Sequence, residues 1–356
     1  MIHFQASISK GWIHKWGGFV FDSHYYRHPV YRRLQDNKIN EFIRKRFSDF
    51  PLYNMEANLM QAAFIDEKQV LVGGIQPNLI LARVLGAELI CYPDKDADVL
   101  GYPLKDISTV NELPSIEMII DHPYIRELTE QIGQIQYAHP ELDVIPPFFW
   151  DRSGRATIHG ILTTSLKLIG EKAFLMFMMD PDLIHPVHQW ITDVYISLIN
   201  YFAGRTRFPV NSVHVGECSG TMISNDQFAE FITPYVSQIG KTFGNIRLHS
   251  CGPSDHILDA ISEIDQLSVI DTGSNTSIAK IRKMMGDDFE INIEPPLKLM
   301  LYDATERDIL SWLDQILEEN RDGPLKLELH IEPDYSIGNC LLIYNKLKNR
   351  GLIMST

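Results

Sequence analysis

Residues 325–332 read LKLELHIE, and the alternation of apolar and polar side chains in this stretch decides the fold. Side chains two positions apart in a strand share a face, so the three leucines and Ile331 form one apolar face. The other face carries Lys326, Glu328, His330 and Glu332. In a barrel wrapped by helices, the apolar face meets the helices and the polar face points inward. The stretch therefore predicts a barrel strand.

Other β-rich runs alternate in the same way. The candidate strands are 87–92, 142–150, 210–217, 246–251, 267–273, 289–295 and 325–332. Amphipathic stretches such as 225–244 and 304–323 lie between most of them and have helical spacing. Strands that alternate with helices indicate a parallel sheet. Seven strands, with an eighth expected within 16–80, predict an α/β fold of the (β/α)8 TIM barrel type; an open doubly wound sheet is the alternative.

The N-terminal segment differs in character from the rest. It contains a basic and aromatic stretch, HYYRHPVYRR (24–33), that has no counterpart later in the chain. We therefore expect residues 1–75 to form an N-terminal extension packed on the barrel, and residues 76–356 to form the barrel itself.

Composition limits the partners. The chain has 356 residues, and 32 Lys and Arg against 46 Asp and Glu give a formal net charge of -14. This charge disfavours nucleic acid and anionic lipid surfaces as partners. The sequence shows neither a secretory signal nor an apolar run of roughly 20 residues, so a cytoplasmic protein is expected. Its four cysteines are then expected to be reduced thiols.

Five motifs in a fixed order carry a family resemblance. They are GECSGTMISNDQFAEFITPYV (216–236), IRLHSCG (246–252), SVIDTG (268–273), INIEPPLKLM (291–300) and IEPD (331–334). This series resembles the uroporphyrinogen decarboxylase superfamily, and within it the zinc-dependent methyltransferases that work with corrinoid proteins. The decarboxylases proper have an arginine-bearing motif close to RPVWFMRQAGR that grips the substrate's carboxylates. This chain lacks it, which argues against porphyrinogen decarboxylation.

The resemblance implies a zinc site. In the methyltransferases an H-x-C at the end of the fifth strand supplies two zinc ligands, and His249 and Cys251 match it. The family's third ligand is a cysteine after the last strand, where this chain has none. His330 is the favoured substitute, with Glu328 on the same face. Glu217 is expected as a fourth ligand or as a partner of one, with Cys218 as a weaker candidate.

Further residues follow from their places at strand ends. Glu217, Asp271 and Glu294 are the expected catalytic carboxylates. Substrate binding is expected from Trp150, Asp151, Arg152 and Asn292. The first three of these belong to PPFFWDR (146–152), whose aromatic side chains would form a wall for a flat substrate.

Two directions of methyl transfer follow from the resemblance. A zinc-bound thiol such as coenzyme M would accept the methyl group, or a methoxylated aromatic compound would donate it. A site with one thiolate, together with the aromatic wall, favours the ether. The corrinoid would be carried by a separate partner protein, because this chain has no convincing D-x-H-x-x-G segment. A homodimer stays open.

Simpler interpretations remain open. An H-x-C in a strand more often packs in a core than binds a metal. Glu328 and His330 would also suit an internal salt-bridged pair, Asp271 a structural carboxylate, and Asn292 and Glu294 hydrogen bonds between loops. The alternative functions are a metal-free lyase on the same barrel, and a non-catalytic relative that binds a corrinoid protein.

Overall fold

The structure is a computed structural model that describes residues 1–47, 68–150 and 152–353. The strands in these ranges are β1 (Ile2–Ile8), β2 (Gln69–Leu71), β3 (Glu88–Ile90), β4 (Asp98–Leu100), β5 (Asp143–Ile145), β6 (Arg155–His159), β7 (Ser212–Gly216), β8 (Asn245–Ser250), β9 (Leu267–Thr272), β10 (Glu290–Ile293) and β11 (Leu325–Ile331).

The helices in the same ranges are α1 (Lys10–Gly17), α2 (Ser23–Arg27), α3 (Pro29–Arg46), α4 (Pro77–Val84), α5 (Ile116–Ile120), α6 (Pro123–Ala138), α7 (Ile161–Ile169), α8 (Lys172–Met179), α9 (Pro181–Thr206), α10 (Asn225–Phe231), α11 (Thr233–Phe243), α12 (Leu258–Ser262), α13 (Ile278–Met285), α14 (Leu297–Met300), α15 (Glu306–Asn320) and α16 (Ile337–Asn349). None of them combines the length and the apolar character that crossing a lipid bilayer requires.

A curled parallel sheet forms the centre of the molecule. Its order is β1-β11-β10-β9-β8-β7-β6, and every neighbouring pair is parallel. A second parallel pair, β2 and β5, lies outside this hydrogen-bonded order. Helices follow the strands, as parallel connections require. The predicted α/β fold of the (β/α)8 type is confirmed.

The two faces of the strands separate as their alternation predicts. Leu325, Leu327, Leu329 and Ile331 of β11 are buried. They form part of a continuous apolar core that also includes the buried side of α9 and α11. The alternate residues of β11 point to the barrel interior, where they meet polar side chains of other strands. The interior of the barrel is therefore polar, and the apolar core lies between sheet and helices.

The first residues of the chain belong to the main sheet. β1 pairs in parallel with β11 along its whole length, from Ile2 opposite Leu325 to Ile8 opposite Ile331. The helical part of the N-terminal segment packs on the barrel side, with α3 against β2. The boundary between residues 75 and 76 stays a prediction, but the segment before it contributes a strand as well as helices.

Two candidate strands have a different place from the one expected. Residues 87–92 contain β3, which pairs antiparallel with β4 rather than with the main sheet. Only the first part of 142–150 forms a strand, β5, and it pairs with β2. Their places in the main sheet are taken by β1 and β6, which the sequence did not indicate.

Candidate functional site

A row of neighbouring positions crosses the barrel interior, near the carboxyl ends of β6 to β10 and at the start of β11. From β6 to β11, the residues in register with one another are His159, Gly216, His249, Asp271, Asn292 and Lys326. We call this set the polar row. The residues next to them in sequence, such as Val215 and Leu248, are buried against the helices. From β6 to β10 the polar row therefore faces inward at the end of the barrel where enzymes of this fold place their sites.

Two cysteines and a histidine come together at this end. Cys218 starts the short 3₁₀ turn after β7, His249 is in β8, and Cys251 follows β8 directly. One potential ligand atom from each residue lies within 4.8 Å of the other two. The two Sγ atoms are 2.7 Å apart. We call these three residues the Cys–His cluster; Cys251 is exposed and the other two are half-buried.

The imidazole of His249 lies against the carboxylate of Asp271. Nδ1 of His249 lies 3.1 Å from Oδ2 of Asp271, so Nε2 is the ring nitrogen left for a ligand. Burial opposes the charged form of His249, but the charge of Asp271 raises the pKa of His249 well above its ordinary value. Asp271 is itself fixed by Arg247, whose Nη2 and Nε donate to Oδ2 at 2.7 and 3.2 Å. Burial opposes ionisation of Asp271, yet Arg247 and His249 hold its pKa well below the usual range.

The two thiols differ in acidity because they share a proton. The hydrogen bond between Cys251 and Cys218, together with His249, lowers the pKa of Cys251 to about 4. The same hydrogen bond, with burial, raises the pKa of Cys218. The pair thus carries a thiolate at neutral pH. A thiolate is the form in which cysteine binds a metal or attacks as a nucleophile.

Glu328 and His330 have partners outside the cluster. Oε1 of Glu328 accepts from Lys326 at 2.7 Å and from Arg247 at 2.9 Å. Nδ1 of His330 lies 2.8 Å from Oγ of Ser7, and Nε2 lies 3.2 Å from Oε1 of Glu332. These contacts occupy both ring nitrogens of His330 and one carboxylate oxygen of Glu328. The structure brings Cys218, and neither Glu328 nor His330, together with His249 and Cys251.

Glu217 caps a helix. Its carboxylate accepts from the backbone N–H of Leu162 at 3.1 Å, and from the N–H and Oγ1 of Thr163 at 2.9 and 2.8 Å. These donors belong to the first turn of α7, where a negative charge is favoured. Burial nevertheless raises the pKa of Glu217 to about 7. The residue fixes the end of β7 against α7, and so positions Cys218 beside it.

Glu294 and Asn292 lie at the end of β10 with different surroundings. Burial raises the pKa of Glu294 to about 7, and the neighbouring charge of His249 acts against this shift. Glu294 therefore changes charge near neutral pH. Asn292 is fully buried, and its amide oxygen, turned toward Arg247, accepts from the guanidinium at 2.7 Å. Asn292 supports Arg247 and is closed to a substrate.

The expected aromatic wall is part of the core. Phe148, Phe149 and Trp150 are all buried, and Phe149 packs on Phe208. Arg152 precedes β6 and pairs with Asp143 at the start of β5, so it lies at the amino ends of the strands, away from the Cys–His cluster. Asp151 falls outside the described residues. The sequence-predicted substrate residues are therefore not brought to the site as a group.

Two histidines that the sequence analysis did not single out face the same space. His159 ends β6, and His214 of β7 has its ring centroid 5.7 Å from that of His249. Burial lowers the pKa of His159 to about 4 and that of His214 well below its ordinary value. Both sit at alternate positions of RATIH (155–159) and SVHVG (212–216). The same alternation that identified Glu328 and His330 would have found them.

Comparisons with known proteins add a family and a fold. Residues 78–327 match the family Uroporphyrinogen decarboxylase (URO-D). A methyltransferase from Methanosarcina mazei is similar in structure, with a TM-score of 0.63 and 15% identity over 98% of this chain and 94% of that one. A B12-independent methionine synthase from Shewanella sp. W3-18-1, in complex with selenomethionine, gives a TM-score of 0.39 and 9% identity over 75% of each chain. No curated protein sequence matches.

Proposed function

The chain belongs to the uroporphyrinogen decarboxylase family, and we propose that within this family it is a zinc-dependent methyltransferase that moves a methyl group between a small thiol and a corrinoid carried by a separate protein. The observation that supports this proposal is the Cys–His cluster at the carboxyl ends of β7 and β8. A barrel with one such cluster at its catalytic end has the donors for a metal and an open approach to it.

The donor set fits zinc. Two sulfurs and one imidazole nitrogen are the ligands that Zn²⁺ takes in catalytic sites, where three protein ligands leave a fourth position for a substrate. The three donors are already within 4.8 Å of one another. The exposed side of Cys251 gives access to the cluster. Cys218, His249 and Cys251 would therefore hold the ion.

Asp271 and Arg247 prepare the histidine for this role. A ligating histidine commonly places its other nitrogen against a carboxylate, which fixes the tautomer and the ring orientation. Nδ1 of His249 faces Asp271 at 3.1 Å. The guanidinium of Arg247 holds Asp271 in place and keeps its negative charge. A metal ion bound at Nε2 would displace the proton from that nitrogen, and the ring would keep its other proton on Nδ1, toward Asp271.

The second sulfur changes the expected substrate. The preference for a methyl ether depended on a single thiolate and on an aromatic wall. Cys218 adds a second sulfur to the cluster, and the aromatic residues pack in the core. Two thiolates neutralise the charge of a divalent cation and reduce its strength as a Lewis acid toward an ether oxygen. A third, substrate-derived thiolate keeps its negative charge in such a site and stays a good nucleophile.

Bound Zn²⁺ would hold the substrate sulfur as a thiolate at neutral pH, and the corrinoid of the partner would exchange the methyl group with it. Glu294 is the chain's own proton acceptor in this proposal. Its pKa near 7 lets the carboxylate take the proton that a thiol loses on binding, and return it in the reverse direction. Glu294 follows β10 and lies close enough to His249 for the charge of His249 to affect its pKa, so it is near the proposed ligands.

The test combines metal analysis with two assays run side by side. Purified protein is expected to contain about one zinc per chain. With methylcobalamin as the corrinoid, we expect methylation of small thiols, and no demethylation of methoxyarenes by reduced cobalamin. Activity with methoxyarenes and none with thiols would contradict the thiol proposal and would identify a methyl ether as the substrate. Full activity in protein without zinc would favour the metal-free lyase instead.

A further inference from the structure

One position of the polar row has no side chain. Gly216 lies between His159 of β6 and His249 of β8 in register. Among the described residues, a Cβ built on Gly216 would meet one atom within 4 Å, the carbonyl oxygen of Ile158 at 3.7 Å, which is an ordinary van der Waals contact. The space above Gly216 is therefore open. We call it the Gly216 gap.

The gap has polar walls and adjoins the Cys–His cluster. Neighbouring strands are about 4.8 Å apart, so the Cα atoms of His159 and His249 are separated by roughly 10 Å. His214 shares the inward face of β7 with Gly216 and lies two residues earlier. Cys218 follows Gly216 by two residues in the other direction. The gap is thus wide enough for a chain of a few atoms that begins at the cluster.

His159 offers a hydrogen-bond donor on the far side of the gap. Its Nδ1 is closed off from solvent and has no hydrogen-bond partner within 1–47, 68–150 and 152–353, whereas its ring as a whole is partly exposed. A buried N–H without a partner is costly and rare, so the single proton of the neutral ring is favoured on Nε2. Protonation of both nitrogens would leave an N–H at the buried position, in agreement with the lowered pKa of His159.

We infer that the Gly216 gap is a substrate subsite that takes an uncharged oxygen atom, a hydroxyl or a carbonyl, at the far end of a short thiol, with Nε2–H of His159 as its hydrogen-bond donor. This inference rests on the proposed function, because it requires the sulfur of the thiol to lie at the Cys–His cluster. It names two residues that determine specificity, His159 by its donor and Gly216 by its lack of a side chain.

Charge selects an uncharged oxygen over an anionic one. Two cysteine thiolates and a divalent cation sum to zero, and the substrate thiolate adds one negative charge. Arg247 is engaged by Asp271 and Glu328, Lys326 by Glu328, and Lys167, whose charge acts on His159, by Asp98. A second negative charge a few ångströms from the first would be repelled at low dielectric. A neutral imidazole supplies a hydrogen bond without a compensating positive charge.

Three two-carbon thiols separate these possibilities: 2-mercaptoethanol, 2-mercaptoethanesulfonate and ethanethiol. Binding is measured on Co²⁺-substituted protein from the change that added thiol makes in the sulfur-to-cobalt absorption band that Cys218 and Cys251 already produce, so that no turnover is needed. We expect 2-mercaptoethanol to bind about 3- to 10-fold more tightly than either other thiol, the range for one net hydrogen bond. His159→Phe should abolish this preference, and His159→Gln, which keeps an N–H donor, should retain part of it.

Gly216→Ala tests the gap by filling it. Gly216 has no left-handed backbone angle, so alanine fits the strand without strain. We expect this variant to weaken 2-mercaptoethanol about tenfold and ethanethiol less. Gly204→Ala in α9 is the matched control, since a Cβ there meets nothing within 4 Å, and all three thiols should bind it as they bind the wild type.

The outcomes keep the two proposals apart. Absence of any change in the sulfur-to-cobalt band with every thiol overturns the thiol chemistry of the proposed function, and the subsite with it. Binding of all three thiols with equal affinity, tightest binding of the sulfonate, or a preference that survives His159→Phe overturns the subsite alone.

Discussion

Cys218 shows what a single residue contributes and why sequence reasoning ranked it low. The His249 and Cys251 pair follows from strand geometry, because residues two apart share a face. The third donor depends on which strands are neighbours. β7 pairs directly with β8, and Cys218 after β7 lies within 4.8 Å of the pair, whereas the ring nitrogens of His330 lie against Ser7 and Glu332. The pairing of β7 with β8, which the local sequence does not encode, brings Cys218 to the pair.

Replacing Cys218 tests this assignment of the zinc ligands. Cys218→Ser removes one of three sulfur and nitrogen donors, and we expect a loss of zinc affinity of at least 100-fold. His330→Gln should keep the metal, as should Cys340→Ser, which alters a buried cysteine in α16. Zinc content by mass spectrometry and competition with a chromophoric chelator measure the effect. If His330→Gln lost zinc as fully as Cys218→Ser, the assignment of Cys218 as the third ligand would be contradicted and His330 of β11 would be favoured.

Glu294 gives the proposed reaction a defined pH dependence. Its pKa is raised to about 7 by burial, so the carboxyl is protonated below that pH and ionised above it. A proton acceptor must be ionised, and kcat/KM for thiol methylation should therefore rise through pH 7. Glu294→Gln should lower kcat/KM by about 10²- to 10⁴-fold and flatten this rise. The measurement is a kcat/KM profile from pH 5.5 to 9. An unchanged rise in the variant would assign the transition to another group.

Among the strands, those after residue 210 were predicted within a few residues of their observed bounds. Each is a run of alternating or β-branched residues that ends at glycine, proline or a helix cap, as VNSVHVGE and FEINIEP show. β1 reads IHFQASI and has the same alternation as LKLELHIE, with His3, Gln5 and Ser7 on the inner face. It was not predicted as a strand, because the basic and aromatic stretch at 24–33 led to the assignment of residues 1–75 as an N-terminal extension.

A core substitution in β1 tests whether this strand is integral to the barrel. Phe4 is buried and packs 5.2 Å from the ring of Tyr344 in α16. Phe4→Ala is expected to lower the free energy of unfolding by about 3–5 kcal/mol, through lost burial and a cavity. Val20→Ala, at a position 49% exposed, should change it by less than about 0.5 kcal/mol. Denaturant unfolding monitored by circular dichroism provides both values. Equal small effects would mean that β1 docks weakly on the rest of the sheet.

At the scale of the whole molecule, the sequence pattern predicts the fold more accurately than it predicts the candidate site. Alternating strands and helices predict the barrel class, because apolar faces repeat along the entire chain and tolerate errors at single strands. The site depends on three side chains from two strand ends, so one misplaced strand changes it. Loop paths such as 146–150, which turns back into the core, decide which aromatic residues reach a substrate.

The proposed metal links the ends of β7 and β8, and its removal should lower the stability of the folded protein. A ligand that binds only the native state stabilises it by about 2.7 kcal/mol at a concentration 100 times its Kd. We therefore expect a chelator to lower the Tm of zinc-loaded protein by a few degrees, and added zinc to restore it. Cys218→Ser is the control, because its Tm should not respond to the chelator. A chelator effect of equal size in Cys218→Ser would place the stabilising ion elsewhere.

The pairing of β1 with β11 has a consequence for how the polypeptide matures. β1 cannot pair with β11 until residues 325–331 have been synthesised, because the two strands are more than 300 residues apart in the sequence. During translation the seven residues of β1 keep their backbone donors and acceptors open, and such an edge invites pairing with another nascent chain. Aggregation is therefore expected to begin among nascent chains on polysomes, where a chaperone that shields β1 would raise the yield of native protein.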